Sequence, residues 1–382
     1  MTKPLLPLRL FSLVFAALLC STIETHAAEK VMIGPVKSRG LWTPAKTAGQ
    51  ALAPAVILLP GSGPNGPEEM MPAKLTEDSK PQSLFEQLSE PFIDQGFHVL
   101  ALGKPGVDWF THWDKNGWFD VTTLFYDLSL YRSTTWTGLI DNLGEGIKFL
   151  KSQPGVDPKR IYILGHSEGT QIASDYAKRD SSIAGYILLG YSGQNIHKIL
   201  EWQLIKRPIE HFVMTDVDKK HRGSVTRKET AKWSKSLALD DTEFKWPWKK
   251  NQSRLTYAEI ETYLRESTHL DSILNQAKAS ALYKEVYDRA DFYNETAKIS
   301  APLYIYTGSL DLQTPPSEAL ALKKACDEAK KKDCSVHLID GLGHGFSPPR
   351  GPRRHPLADL TVGPIHPKMV DEMKQLAREL SH

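Results

Sequence analysis

Six short apolar runs, each breaking off at a glycine-rich turn, constrain this chain more than any other feature. AVILL at 55–59 runs into PGSGPNG, FHVLAL at 97–102 into GKPGVD, and IYIL at 161–164 into GHSEG. IAGYILL at 183–189 runs into GYSGQN, LYIY at 303–306 into TGSLD, and SVHLI at 335–339 into DGLGHGF. Runs this short, largely apolar and rich in β-branched and aromatic residues, suit strands buried on both faces. Helical patterns separate them. Leu139, Ile140, Leu143, Ile147 and Leu150 recur at three- and four-residue spacing, and helices are also expected over 317–332 and 368–380. The alternation predicts an α/β architecture, a mostly parallel central sheet with helices on both faces. Chemistry in such sheets collects at the carboxyl edge, where the glycine turns lie.

The texture divides the chain. The start, MTKPLLPLRLFSLVFAALLCSTIETHAAEK, has a cationic head (Lys3, Arg9), an apolar stretch and a small-residue exit, which reads as a signal peptide over 1–28. The α/β pattern then spans 29–194 and resumes over 298–382. Between them, 195–297 is polar and amphipathic, with Ile260, Tyr263, Leu264 and Leu270 on one helix face, and reads as a helical cap inserted over the strand edge. Trp202, Trp233, Trp246 and Trp248 are expected to pack that cap. No internal repeat is evident in the sequence.

Charge and cysteine content narrow the class. The formal charge of +2 falls to +1 once Lys3, Arg9 and Glu24 leave with the leader, which gives no electrostatic case for nucleic acid. Beyond the leader no apolar run reaches membrane-spanning length. The basic run Pro349 to Arg354 reads as a solvated loop. With Cys20 removed, Cys326 and Cys334 remain, eight positions apart, and in an oxidising compartment they are natural disulfide partners.

The third glycine turn carries the chemistry. Strand, then Gly165-His166-Ser167-Glu168-Gly169, then helix is the context in which G-x-S-x-G presents a serine above a sheet at a helix N-terminus. A serine hydroxyl needs a base, and His344, flanked by Gly343 and Gly345, is placed to reach it. The imidazole needs an acceptor on its other nitrogen. Asp311 follows a strand and suits that role, with Asp340 and Asp291 as alternatives. His166 reads as a packed neighbour of the turn, and Glu168 as mainly a spacer whose backbone matters, with the alternative that its side chain accepts a hydrogen bond beneath the turn.

These residues resemble those of the α/β-hydrolase superfamily, in particular its esterase, dienelactone-hydrolase-like and prolyl-oligopeptidase-like serine hydrolases. The resemblance covers most of the chain outside the cap. It rests on PGSGP at 60–64, GHSEGT at 165–170, TGSLDLQTP at 307–315 and GLGHGF at 341–346. It implies the α/β-hydrolase fold, with Ser167 as nucleophile, Asp311 as acid and His344 as base. The implied oxyanion donors are the backbone N–H groups of Glu168 and of Ser62, with Gly63 as second choice. The expectation is an exported, periplasmic or secreted serine hydrolase, free of cofactor and metal, acting on a small-molecule ester. A peptidase or thioesterase would use the same triad, and a non-catalytic binding protein could keep the same fold. Specificity is expected from the cap and from GVDWFTHWDKNGWFD at 106–120.

One further motif looks like an EF-hand calcium loop. With Gly223 at its sharp turn, Asp218 is the first ligand, Val225 the apolar residue, Thr226 the ninth position and Glu229 the last. Lys220 and Arg222 then stand where oxygen ligands belong. Starting from Asp216 instead lengthens the loop. The expectation is an EF-hand-like shape without metal.

Overall fold

All six apolar runs form strands, side by side. The computed structural model describes residues 28–46, 52–71, 82–112, 114–115, 120–236, 246–349 and 363–382. The expected leader at 1–27, part of the aromatic segment and most of the basic run at 349–354 lie outside them.

The chain opens with β1 (Glu29–Ile33), β2 (Ser38–Thr43) and β3 (Ala53–Leu59), then a short pair, β4 (Met70–Met71) with β5 (Gln82–Ser83). There follow α1 (Leu84–Asp94), β6 (His98–Leu102), α2 (Leu128–Ser133), α3 (Trp136–Ser152), β7 (Val156–His166), α4 (Glu168–Tyr176) and β8 (Gly185–Leu189). After the inserted region come β11 (Leu303–Gly308), α10 (Pro316–Glu328), β12 (Cys334–Ile339) and α11 (Pro367–Ser381). The sheet order is β1-β2-β6-β3-β7-β8-β11-β12. Pairing is parallel from β6 to β12, and antiparallel where β1 meets β2 and β2 meets β6. The β1–β2 ribbon had no clear sequence signal, because β1 is a largely exposed edge strand.

Successive residues of β3 show why its run is apolar throughout. Ala55, Ile57 and Leu59 face α3 and α4, where Leu143, Ile147 and Ile172 close one core. Val56 and Leu58 face α1 and α11, where Phe85, Phe92, Met369 and Met373 close the other. The chain leaves β3 for β6 on one side and later takes β7 on the other. Strand order therefore reverses at β3, which opens a crevice at the carboxyl edge there.

Cys326 on α10 is joined to Cys334 at the start of β12 by a disulfide, with Cα atoms 6.5 Å apart. No described helix is long and apolar enough to cross a membrane.

The inserted region has its own apolar core, in which Ile205, Val213, Val225, Trp233, Leu255 and Ile260 meet. It begins with α5 (Ile196–Glu201), which continues as π-helix over Trp202–Lys206 and Pro208–Val217. Its other helices are α6 (Arg227–Ser236), α7 (Tyr257–Ser267), α8 (Leu270–Ala279) and α9 (Tyr293–Ala297).

Two expectations need correction here. The region is not purely helical, for β9 (Ser224–Thr226) and β10 (Arg254–Thr256) pair antiparallel, with Val225 opposite Leu255. A short repeat is also present. VTxxE at 225–229 and LTxxE at 255–259 each run from a strand into a capped helix start. In both, the glutamate accepts from the threonine N–H at 2.9 Å. The second loop escapes sequence reading because no acidic residue opens it; Trp248 stands at that position.

In the first loop a guanidinium lies between the two carboxylates that would hold a cation. Arg222 Nε donates to Asp218 Oδ1 at 3.0 Å, and its Nη2 donates to Glu229 Oε1. Tyr257 Oη, from the second unit, donates to Asp218 Oδ2 at 2.7 Å. The side chain at the fifth loop position thus supplies the positive charge itself.

Four outcomes follow for thermal denaturation. The melting temperature should be unchanged by calcium or chelator, while R222A, which strips a buried carboxylate of its partner, should cost about 1–3 kcal/mol. K220D/R222D should make the melting temperature rise with calcium; a wild type that responds to calcium would contradict the assignment. Removing the disulfide as C326A/C334A should cost about 2–3 kcal/mol, the chain-entropy value for so short a loop.

Candidate active site

Ser167 links β7 to α4 with φ 53° and ψ −120°. A left-handed φ on a non-glycine residue costs about 1–3 kcal/mol, so the surroundings must enforce it. Ser167 N–H donates to Leu189 O at 2.9 Å, and Thr170 N–H donates to Ser167 O at 2.9 Å. The flanking glycines are steric requirements. A Cβ on Gly165 would stand 2.4 Å from Gly169 O, and one on Gly169 would stand 2.3 Å from Leu59 O. Any larger residue would push α4 off β3.

Asp311, in the turn after β11, is fully buried, and its Oδ2 lies 2.8 Å from His344 Nδ1. Asp311 Oδ1 also accepts from the N–H groups of Gln313 and Thr314, each at 2.9 Å, and Oδ2 from Thr314 Oγ1 at 2.9 Å. An ionised carboxylate so committed only accepts, which places the ring proton on Nδ1 and leaves Nε2 as an acceptor. The alternatives lie elsewhere. Asp340 accepts from Ser309 at 3.3 Å, and Asp291 pairs with Lys198 at 2.5 Å. Among the described residues the Ser167 hydroxyl makes no hydrogen bond, so its proton is uncommitted.

Ser62 lies in the turn after β3, whose carbonyls are tied down by Asn65. The amide Nδ2 of Asn65 donates to Gly61 O at 3.1 Å and to Ser62 O at 2.9 Å. The Glu168 N–H is in the first turn of α4, where helical N–H groups lack intrahelical partners and the dipole is positive. Ser62, Ser167 and Glu168 line one cavity of about 530 Å³. Its apolar wall includes Leu139 of α3, Ile199 and Leu200 of α5, and Val286 and Phe292 near the end of the inserted region.

The Glu168 side chain is more than a spacer. It is buried, accepting from Lys104 Nζ at 2.6 Å and from Tyr283 Oη at 2.5 Å. Burial, and then the Glu168 charge, push the Tyr283 phenol well above its usual range, so it stays a donor. Lys104 had a weak signal, standing in the turn GKPGVD at the strand edge. Tyr283 had none.

His166 is the packed neighbour expected, and it also bonds Glu69, which the sequence did not single out. The aromatic segment departs from expectation. Its described residues do not line the cavity, and Trp109 instead stacks on Arg39, 4.6 Å from ring centre to guanidinium. Trp202 Nε1 donates to Leu312 O at 3.0 Å, docking α5 beside Asp311.

Comparison with known proteins adds a family. The family model described as serine aminopeptidase, S33 (Hydrolase_4) matches residues 130–347, more than half of the chain. That span contains Ser167, Asp311 and His344, but not the turn with Ser62. Esterase EstD of Thermotoga maritima is 28% identical over 151 residues, 40% of this chain and 30% of that one. A putative alpha/beta hydrolase, L404, of Acanthamoeba polyphaga mimivirus is 34% identical over 87 residues, 23% of this chain and 33% of that one. The chain thus spans about a third of the length of the curated relatives it matches. Among solved structures, Est1E from Butyrivibrio proteoclasticus aligns over 93% of this chain and 98% of its own, with a TM-score of 0.48 and 14% identity. With a family match across more than half its length, the chain belongs to the serine aminopeptidase S33 family of α/β-fold serine hydrolases.

Proposed function

We propose that this chain is an exported serine hydrolase that cleaves carboxylic esters with apolar acyl groups through an acyl-enzyme. One observation carries the reading: the strained Ser167 lines an apolar cavity of about 530 Å³, and Thr314, which also lines it, hydrogen-bonds Asp311, the carboxylate 2.8 Å from His344 Nδ1. That volume is in the range that encloses small molecules. Ser167 Oγ attacks the ester carbonyl as its proton passes to His344 Nε2, and the resulting imidazolium is stabilised by Asp311. The oxyanion is held by the N–H groups of Ser62 and Glu168. His344 returns the proton to the leaving alcohol. It then activates water, which releases the acid and restores Ser167. The leader-like start and the disulfide support export.

The family description names aminopeptidases, and peptide cleavage is the second reading. An aminopeptidase must hold a cationic amino terminus near the scissile bond. The one carboxylate lining the cavity, Glu168, is already neutralised by Lys104 and capped by Tyr283, and the other charged side chain there, Arg132, is cationic. This electrostatic inventory favours an uncharged acyl group over a peptide N-terminus.

Reaction with a fluorophosphonate probe and hydrolysis of p-nitrophenyl esters test the proposal. Wild type should be labelled and active, and S167A should be neither. H344A and D311N should lose about 10⁴-fold or more in kcat, whereas D340N should stay within about twofold. An unlabelled, inactive wild type would sink the esterase reading. Across a series of acyl lengths, kcat/KM should climb from acetyl to medium chains. L200W, which fills the cavity, should shift the optimum to shorter chains; an optimum unmoved by that substitution would place the acyl group elsewhere.

A further inference from the structure

Beneath the candidate site lies a second histidine–carboxylate pair that no step of the mechanism uses. His166 and Glu69 are each 2% exposed. His166 Nδ1 lies 2.8 Å from Glu69 Oε1, and His166 Nε2 lies 3.1 Å from the backbone carbonyl of His344. The same Glu69 oxygen accepts the N–H of Gly61 at 2.7 Å. One buried pair therefore touches three loops at once: the turn of Ser62, the elbow of Ser167 and the loop of His344.

With Glu69 ionised, hydrogen-bond chemistry sets the charge of its partner. A backbone carbonyl only accepts, so Nε2 must carry a proton. Glu69 Oε1, already accepting from Gly61, accepts from Nδ1 as well. Opposite an ionised Glu69, a neutral imidazole has a single N–H and would leave one of these contacts as two facing lone pairs. An imidazolium satisfies both.

We propose that His166 and Glu69 form a buried imidazolium–carboxylate pair that holds the oxyanion turn, the elbow and the histidine loop in register, acting as positioning residues. The groups facing His166 are Glu69, the His344 ring (centroids 4.8 Å apart) and, behind it, Asp311. Burial by itself would lower the His166 pKa. The charge and hydrogen bond of Glu69, the His344 carbonyl and the charge of Asp311 outweigh it and leave the pKa raised. The pairing matters because His344 must itself become cationic during turnover, against a neighbouring cation. Glu69 offsets that neighbour, leaving Asp311 to serve His344.

Nitrogen-15 NMR of histidine-labelled wild type, with H166Q for assignment, reads the pair directly. Two ring N–H signals for His166 at pH 7, both retained through pH 8, are expected. A single ring N–H at pH 7 would overturn the proposal. The kinetic arm rests on the esterase reading. E69Q keeps an acceptor but removes the charge, and kcat should fall about 10- to 100-fold with KM within about twofold, the signature of lost alignment. An unchanged kcat in a folded E69Q, checked by its melting curve, would overturn the positioning role. The spectroscopic arm is read on the wild type whatever it hydrolyses, so failure of the esterase reading and failure of the pair are separate results.

Discussion

The approach of α4 to β3, close enough that only glycine fits at positions 165 and 169, is the constraint on which this molecule depends. It sets the sharp turn at Ser167 and with it the left-handed backbone. It also brings the first turn of α4 beside the turn after β3, so that an amide from each can point at one atom. The strain of about 1–3 kcal/mol is stable because the elements on either side are deeply buried in two cores, one on each face of the sheet. A serine at this point is exposed in chemistry but fixed in geometry.

Around the elbow the structure tolerates an unusual number of buried charges, and each is matched. Lys104 faces Glu168, Glu69 faces His166, and Asp311 accepts from His344 and two backbone amides. Asp175 at the far end of α4 accepts from both Arg289 and Trp136. Burial raises the Asp175 pKa, but the hydrogen bonds from Arg289, Lys178 and Trp136 outweigh it and leave it below the usual range. Such pairs are weak sources of net stability, since desolvation consumes much of the attraction. What they provide is directional fixing. Tyr283 and Arg289 both lie after α8, so the end of the inserted region grips α4 at its start through Glu168 and near its end through Asp175.

The sequence made legible what local pattern controls. Continuous apolar runs betrayed strands buried on both faces, and the glycine spacing around Ser167 betrayed the elbow, because close backbone approach leaves few residue choices. His344 between two glycines and Asp311 after a strand were readable in the same way. Glu69 and Tyr283 were not. Each acts through a contact some 100 positions away in sequence, and nothing in its own neighbourhood marks it. The β9–β10 ladder was missed for a related reason. Three-residue strands carry too little periodicity to register, although the recurrence of TxxE thirty positions apart was on view.

The inserted region carries a loop in which a side-chain cation stands between two carboxylates. Two loops, each running through a three-residue strand into a helix, are joined by a short ladder, and a glutamate closes each onto its own backbone. In the first, Arg222 puts a tethered cation between Asp218 and Glu229. A free ion would have to displace a guanidinium whose local concentration is set by the chain, and would meet Lys220 as it did so. A tethered charge would also remove a condition, since a region held by its own guanidinium would not vary with the calcium content of its surroundings. Ile199, Leu200, Ile273 and Ala277, which wall the cavity above Ser167, stand on helices of that same region. A guanidinium tethered to the chain, holding that region in place of a dissociable ion, would also hold the wall against which the proposed acyl group packs.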